Sequence, residues 1–307
     1  QTVTHGARQY QQSDDLWQPN LFKIEKWWAP GALHSLRALR KEIDQHHGQV
    51  RDLLDIGFCR TLIACSNAAF NHQSMSFKET DDQQTLFDPD LVEVTLSSFC
   101  TEMSDVLESA RFDLSGSAKV LEGDSRSAPE NLTPADLVLT SPPYVNRMSY
   151  IRELRPYMYW LRYLDAASDA GDLDWRAIGG TWGTATSKLN SWVPEESTPI
   201  DQEMEVTCNK IATDGGKNGP LLATYVRKYH HDMWLHFRSI TEHVKPGGSL
   251  SYIVGNSTFY KNEVPAQKWY AEMLRALGYE SVHVETIRKR NSNKALYEYD
   301  VTGTRPS

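Results

Sequence analysis

The sequence predicts an α/β fold in which a helical region precedes a sheet. Up to about residue 115, apolar residues recur at helical spacing, with few helix breakers between them. After Gly116 the pattern changes to short apolar strands that end in polar loops and alternate with helices. Such alternation is typical of a sheet covered by helices on both faces. We therefore expect a polar tail or linker over residues 1–20, a helical region over 21–115 and a sheet region over 116–307.

The composition is that of a globular protein. The chain has 307 residues, of which 40% are hydrophobic, enough to bury a core. No apolar run approaches the roughly 18–20 residues that span a bilayer, and the first residues do not resemble a signal peptide, so we expect a soluble, cytoplasmic protein. The net charge of −8 argues against a protein that coats nucleic acid, although it leaves room for a local basic groove. Four dispersed cysteines suggest neither a zinc site nor a disulfide framework.

Three helices are predicted in the front region. Apolar residues from Leu33 to Ile43 recur every three or four positions, and residues 53–69 continue in helical style. A polar stretch over residues 78–84 interrupts the pattern. Residues 91–107 then form the third predicted helix.

Two predicted strands end in polar loops that are candidates for a site. Residues 118–122 lead into Gly123-Asp124-Ser125, and residues 135–139 lead into Thr140-Ser141-Pro142-Pro143-Tyr144. In open α/β sheets, ligands bind at the carboxyl ends of the strands. The Ser-Pro-Pro-Tyr run therefore has the position of a site, although a rigid turn at a strand end is the alternative interpretation.

The remaining elements follow the same logic. The sequence predicts helices over residues 157–164, 225–244 and 266–277, and strands over residues 250–254, 281–285 and 296–301. The helix over 225–244 is expected to end at Lys245-Pro246-Gly247-Gly248, with glycine as its C-cap. The run from Gly179 to Gly183 is expected to lack regular structure.

The Ser-Pro-Pro-Tyr run suits one kind of chemistry. An exocyclic amine on a base is a poor nucleophile because its lone pair is delocalised into the ring. Two acceptors, the Ser141 side chain and the Pro142 carbonyl, can hold both N–H bonds and favour a pyramidal nitrogen. Consecutive prolines stiffen the loop. Tyr144 adds a flat face on which a flipped base can stack.

With the Gly123-Asp124-Ser125 loop upstream and Lys245-Pro246-Gly247-Gly248 downstream, the run resembles the amino-methyltransferases of restriction-modification systems. The resemblance implies S-adenosylmethionine as methyl donor, with Ser141, Pro142, Pro143 and Tyr144 as the catalytic loop. A serine at the first motif position resembles the cytosine-N4 branch, because the adenine-N6 branch usually has Asp or Asn there. A Pro-Cys pair, the nucleophile of the covalent route to carbon 5, is not found.

The resemblance also implies binding residues. Gly123, Asp124 and Ser125 match the position that contacts the adenine of the cofactor, although an aspartate after glycine also forms turns. Candidates for holding the extruded nucleotide or the phosphates of double-stranded DNA follow the motif: they are Asn146, Arg147, Tyr150 and Arg152. A target-recognition insertion at about residues 165–220 and a flexible loop with a packed tryptophan at Gly179–Gly183 are equal alternatives, and residues 285–294 are a candidate basic loop at the DNA groove.

One part of the family pattern is missing. We find no glycine-rich loop of the type Phe-x-Gly-x-Gly, and Asp55-Ile56-Gly57-Phe58 lies within a helical pattern. The predicted strands correspond to strands 3 to 7 of an incomplete Rossmann-like methyltransferase sheet. The first two strands, which lie between the third and fourth in that fold, are expected on another polypeptide or in a removed N-terminal piece. The alternatives are an adenine-N6 or RNA methyltransferase, and a non-catalytic DNA-binding subunit.

Overall fold

The computed structural model describes residues 2–10, 13, 15–69, 76–77, 89–180, 184–290 and 295–307. It confirms the α/β class, with a mixed sheet of four strands and many helices. The chain forms two compact units: residues 1–118 with 151–170, and residues 119–150 with 171–307. No helix among the described residues combines the length and apolarity needed to cross a bilayer.

The first unit is helical. Its helices are α1 (Thr2–Arg8), α2 (Ile24–Trp27), α3 (Pro30–Ile43), α4 (Gly48–Ala64), α5 (Pro89–Ala110) and most of α6 (Tyr150–Trp160), with a short ladder of β1 (Ala68–Ala69) and β2 (Ser76–Phe77). Residues 2–8, expected in a polar tail, form a helix instead, because Val3 and Ala7 are buried. The polar stretch 78–84 lies outside the described residues.

Residues 151–170 complete the core of the helical unit. Trp160 on α6 is fully buried, and its ring lies edge-on against those of Trp17, Trp28 and Phe58, with centroids 5.5–6.0 Å apart. Large aromatic side chains in such edge-to-face contact contribute strongly to a core. The stretch after the catalytic-loop candidate is therefore an integral part of the helical unit.

The second unit contains the sheet. Its strands are β3 (Ala135–Thr140), β4 (Val244–Gly255), β7 (Glu280–Lys289) and β8 (Tyr297–Thr304), in the order β3-β4-β8-β7, with β5 (Ser257–Phe259) and β6 (Asn262–Val264) in a separate hairpin. β3 runs parallel to β4, whereas β8 is antiparallel to both β4 and β7. Parallel pairing places the carboxyl ends of β3 and β4 side by side.

The described helices of this unit are the last six residues of α7 (Ala167–Arg176), α8 (Thr184–Lys188), α9 (Asp201–Asp214), α10 (Gly219–Thr241) and α11 (Ala266–Ala276), with 3-10 turns at Leu189–Ser191 and Gly216–Asn218. Leu250, Tyr252 and Val254 of β4 point into a core shared with α10 and α11. Of the Gly179–Gly183 run, Gly179 and Gly180 lie in a turn and the other three residues lie outside the described part.

The other face of β3 is open, which corrects the expectation of a sheet covered on both sides. Leu137 and Leu139 are 56% and 68% exposed, on the face opposite to Val138. β3 is also an edge strand, with β4 as its single neighbour among the described residues. Apolar side chains beside an unpaired parallel edge are unusual, because parallel strands are normally buried.

Two further sequence predictions were wrong. Residues 118–122 do not form a strand: they find no strand partner in the described chain, and Val120 is 96% exposed. Lys245-Pro246-Gly247-Gly248 does not cap a helix, because α10 ends at Thr241 and the run belongs to the start of β4. Gly247 has φ +75°, and the register between β3 and β4 shifts there, so the glycine accommodates an irregular strand.

Candidate functional site

The Ser-Pro-Pro-Tyr loop leaves the carboxyl end of β3 and runs into α6. Ser141 is exposed at the surface, while Pro142 is buried and Val145 is fully buried in the core of the sheet unit. The prolines and the buried valine therefore anchor a loop whose first side chain faces solvent. This arrangement matches the position predicted for a site at a strand end.

Two buried tyrosines hold the middle of the loop. The Tyr229 hydroxyl donates to the Pro143 carbonyl at 2.6 Å and accepts from the Tyr270 hydroxyl, also at 2.6 Å. Burial raises the pKa of both phenols, so each stays protonated. The Pro143 carbonyl is thus committed to the protein itself. Of the two prolines in the loop, Pro142 is the one whose carbonyl is the acceptor predicted from the sequence.

Tyr144 lies against the end of β4. Its ring rests on Gly255, where an added Cβ would lie 3.0 Å from Cδ2 of the ring, and the guanidinium carbon of Arg290 lies 5.5 Å from the ring centroid. Glu298, which pairs with Gly255 between β4 and β8, lies on the neighbouring strand. Burial is the largest cause of the raised pKa of Tyr144, and the nearby Glu298 carboxylate adds to it. The ring of Tyr144 therefore lies against Gly255 and beside Arg290.

Gly123, Asp124 and Ser125 line a small cavity of about 230 Å³. Its walls are mostly apolar and include Leu121, Pro129, Leu132 and Ile240, with His236 beside them. The Asp124 carboxylate is paired with Arg126, whose Nε and Nη2 donate to it at 3.0 and 2.7 Å. This pairing is the main cause of the lowered pKa of Asp124. Asp124 is therefore ionised beside an apolar cavity.

His236 fixes the loop that carries Ser125. Its Nδ1–H donates to the Ser125 carbonyl at 2.9 Å, and its Nε2 accepts from the Tyr252 hydroxyl at 2.6 Å. Burial lowers the pKa of His236, which keeps the imidazole neutral. The loop is thus tied to both α10 and β4.

The predicted nucleotide-binding residues are spread over the turn after the motif. Asn146 is exposed, and its side-chain oxygen accepts from the Met148 N–H at 3.0 Å. Arg147 has φ +63°, a left-handed conformation that is uncommon outside glycine, and its N–H donates to the Tyr225 hydroxyl at 3.0 Å. Tyr150 is 40% exposed at the start of α6. Arg152 is half-buried and belongs to the helical unit.

Sequence reasoning missed the partners of these residues. Glu298 and Gly255 surround Tyr144, and Arg126 neutralises Asp124, yet none lies within a recognisable motif. Of the predicted basic loop, residues 285–289 belong to strand β7 and Arg290 lies beside Tyr144; residues 291–294 lie outside the described part. The sequence offered one signal, which is that Gly255 and Glu298 lie at strand ends. Their proximity to Tyr144 can be recognised only when the register of β4 and β8 is known.

The chain matches no protein-family model, no curated protein and no solved structure. Within the described residues, no group of His, Cys, Asp or Glu side chains is arranged to hold a metal ion.

Proposed function

We propose that this chain carries the amine-activating part of an S-adenosylmethionine-dependent DNA methyltransferase. Its target is the exocyclic N4 amine of cytosine, flipped out of double-stranded DNA. The supporting observation is the Ser-Pro-Pro-Tyr loop at the carboxyl end of β3. In this loop Ser141 is exposed, and the Pro143 carbonyl accepts a hydrogen bond from the Tyr229 hydroxyl. A loop that was only a structural turn would have no need of a rigid acceptor pair.

The chain's own residues would hold and activate the amine. The Ser141 hydroxyl oxygen and the Pro142 carbonyl accept its two N–H bonds, which draws the nitrogen lone pair out of conjugation with the ring. Tyr144 stacks on the flipped base, an interaction typically worth about 1–3 kcal/mol. When bound, S-adenosylmethionine supplies an electrophilic methyl group on sulfur. Anchoring by Tyr229 keeps the acceptors in place before the base arrives.

The cavity beside Gly123-Asp124-Ser125 fits one part of that cofactor. About 230 Å³ lined by Leu121, Pro129 and Leu132 suits a planar heterocycle, and is smaller than the roughly 300–1,000 Å³ of pockets for complete ligands. Asp124 stands at its edge as an acceptor for an exocyclic N–H of adenine. The residues present therefore suit the adenine end, whereas a glycine-rich loop for the methionine end is not found in the chain.

The open side of β3 supports a second component. An incomplete Rossmann-like methyltransferase sheet would expose the edge where its missing strands pair and the face that their helices cover. Leu137 and Leu139 are exposed on that face, at that edge. We propose that a polypeptide segment outside these 307 residues, carrying the glycine-rich loop, adds strands beside β3. It is either a second subunit or a segment preceding this one.

Two other functions use the same features. An adenine-N6 or RNA methyltransferase would share the loop, although Ser141 at the first motif position favours cytosine. A non-catalytic DNA-binding subunit would use the basic residues near Tyr144 but would have no chemical need for Ser141. We therefore rank both below cytosine methylation.

Methyl transfer assays separate these possibilities. The chain is supplied with a polypeptide that carries the glycine-rich loop, and transfer from labelled S-adenosylmethionine to double-stranded DNA is measured. We expect N4-methylcytosine by mass analysis of the nucleosides, its loss in Ser141→Ala, and its retention in Ser307→Ala, a matched change at an exposed serine of the same unit. N6-methyladenine, or methylation of RNA alone, would support the first rival. DNA binding with neither transfer nor cofactor binding would support the second.

A further inference from the structure

The helical unit contains a cavity of about 510 Å³, and every residue that lines it belongs to that unit. One face of α3 lines it, because Arg37, Arg40 and Lys41 recur every three or four residues. Trp17 and Arg162 also line it. Sites for small molecules typically have volumes of about 300–1,000 Å³. The cavity is therefore large enough for a complete small ligand.

The lining of this cavity is positive. Four of its residues are basic, the three on α3 and Arg162, whereas two are acidic, Asp15 and Asp44. The chain as a whole has a net charge of −8, so this lining is contrary to the overall composition. Charges of one sign in a concave site raise the local concentration of ions of the opposite sign. The cavity therefore favours an anionic ligand.

Asp44 does not neutralise the lining, because several arginines share it. One of its carboxylate oxygens accepts from Nε of Arg40 at 3.1 Å and from Nη2 of Arg51 at 2.8 Å. The other oxygen accepts from Nη2 of Arg162 at 2.7 Å. Arg40 and Arg51 also pair with Asp55, at 2.8 and 2.9 Å. Three guanidinium groups thus share two carboxylates, which leaves an excess of positive charge.

Arg40 carries a donor that has no acceptor. Its side chain is 2% exposed, and its Nη2 forms no hydrogen bond to any residue that the structure describes. Buried donors in proteins are almost always paired, so an orphaned one requires an explanation. Because Arg40 lines the cavity, an oxygen of an anionic ligand is a suitable acceptor. This donor points to a ligand independently of the excess charge.

Trp17 adds an aromatic side chain to the lining. The segment that carries it is tied to α3, because Nε of Arg37 donates to the Leu16 carbonyl at 3.0 Å. Trp17 is 40% exposed, and the guanidinium carbon of Arg162 lies 4.4 Å from its ring centroid. Heterocyclic bases stack on exposed aromatic rings, and phosphates pair with arginine and lysine. The combination suits a ligand that has both a planar ring and a phosphate group.

We propose that this cavity is a nucleotide-binding site, in which the basic residues hold the phosphate group and Trp17 stacks on the base. A small nucleotide suits it better than a nucleic-acid backbone, because the two aspartates of the lining would repel successive phosphates. S-adenosylmethionine does not suit it, since that molecule carries a positive sulfonium and no phosphate. The site therefore goes beyond the proposed function and does not depend on it.

Calorimetry of the full chain with AMP, ribose 5-phosphate and adenosine tests the proposal. We expect ribose 5-phosphate to bind at least about fivefold more weakly than AMP, because it lacks the ring that stacks on Trp17. Adenosine should bind about tenfold more weakly than AMP or worse, because it lacks the phosphate. Salt should weaken the binding of AMP. No binding of AMP at millimolar concentration would overturn the site, and equal affinities for AMP and ribose 5-phosphate would overturn its assignment to a nucleotide.

Lys41→Gln tests where AMP binds. Lys41 is exposed and its Nζ lies 4.5 Å from the ring centroid of Tyr10, so we expect the variant to fold normally and to bind AMP about tenfold more weakly. Lys23→Gln is the matched control, because Lys23 is also exposed and also lies over an aromatic ring, but does not line the cavity. Equal affinity in Lys41→Gln and the wild type would overturn the proposal, since AMP would then be bound elsewhere, for example beside Asp124.

The indole N–H signals in NMR spectra give a second readout of location. The chain has nine tryptophans, and Trp17→Phe identifies the signal of Trp17. We expect AMP to move this signal with the dissociation constant found by calorimetry. A Trp17 signal that stays in place while AMP binds would overturn the proposal, whether or not the chain takes part in methylation.

Discussion

Replacing Gly255 by alanine tests how tightly the candidate site is packed. The added methyl would lie 3.0 Å from Cδ2 and 3.1 Å from Cε2 of Tyr144, and 3.0 Å from the guanidinium carbon of Arg290. Carbon atoms in good contact are about 3.5–4.0 Å apart, so a shift of about half an ångström or more is required. Arg290 can swing aside at the end of a flexible stem. The ring of Tyr144 is rigid and half-buried, so it has less freedom.

Overpacking of this kind typically costs about 1–3 kcal/mol, partly offset by about 0.5–1 kcal/mol because alanine suits a strand better than glycine. For a unit of this size, a net loss of about 1–2 kcal/mol lowers Tm by roughly 2–8 °C. Gly303→Ala on the adjacent strand β8 is the matched control. There the nearest atoms to an added methyl are 3.4–3.5 Å away, which is ordinary contact, and we expect unchanged or slightly raised stability.

Thermal unfolding and the Cζ resonance of Tyr144 provide the readouts. We expect Gly255→Ala to lower Tm and to move the Tyr144 resonance, while Gly303→Ala does neither. If methylation by the complemented enzyme is established, the displaced ring should also reduce kcat, because small misplacements of a positioned group are costly. Equal Tm values and an unmoved resonance in Gly255→Ala would refute the packing described for Tyr144.

Three further outcomes follow from the structure. Leu139 is 68% exposed, so burying the rest of its side chain is worth about 1–2 kcal/mol. Leu139→Ser should weaken binding of the complementary polypeptide about fivefold to thirtyfold in calorimetry and leave Tm unchanged. Val193→Ser, at a similarly exposed side chain, should change neither the affinity nor Tm. Unaltered affinity in Leu139→Ser would contradict docking at β3. Burial lowers the pKa of His230 to about 3, so the unfolded chain alone takes up its proton near pH 6.5. The His230 contribution should therefore lower the free energy of unfolding by about 1.4 kcal/mol per pH unit between pH 6 and pH 4, as measured by denaturant titration. The free energy of His230→Phe should depend less steeply on pH, and equal slopes in the two proteins would contradict a neutral buried His230. Removing the partner in Arg126→Ala should raise the pKa of Asp124 toward its ordinary value in a carboxyl NMR titration, and an unmoved pKa would show that the pairing is weak.

Much of the fold was predictable because its signals are local. The helices α3, α5 and α11 and the strands β3 and β7 each have apolar periodicity that depends on a short window of sequence. Residues 118–122 have the same local pattern as a strand but do not form one, because a strand also requires a neighbour to receive its hydrogen bonds. Local pattern could not reveal that missing neighbour.

The candidate site was predictable at its loop and not at its surroundings. Ser141 to Tyr144 form a contiguous motif, so their chemistry can be inferred from the sequence alone. Gly255, Arg290 and Glu298 are more than 100 residues away along the chain, and they meet Tyr144 through the order and register of β4, β8 and β7. Such long-range pairing has no signature in a single sequence.

Because residues 151–170 belong to the helical unit, this unit cannot be completed until they have been synthesised. When a ribosome has synthesised residues 1–118, it has not yet synthesised Trp160. The ring of Trp160 contacts those of Trp17, Trp28 and Phe58. About 40 more residues are needed, which takes roughly 2–8 s at typical rates of translation. During that interval the nascent helices expose aromatic surface that chaperones recognise. The helical unit therefore matures only after Ser141 and its loop have been synthesised, and the order of folding does not follow the order of the chain.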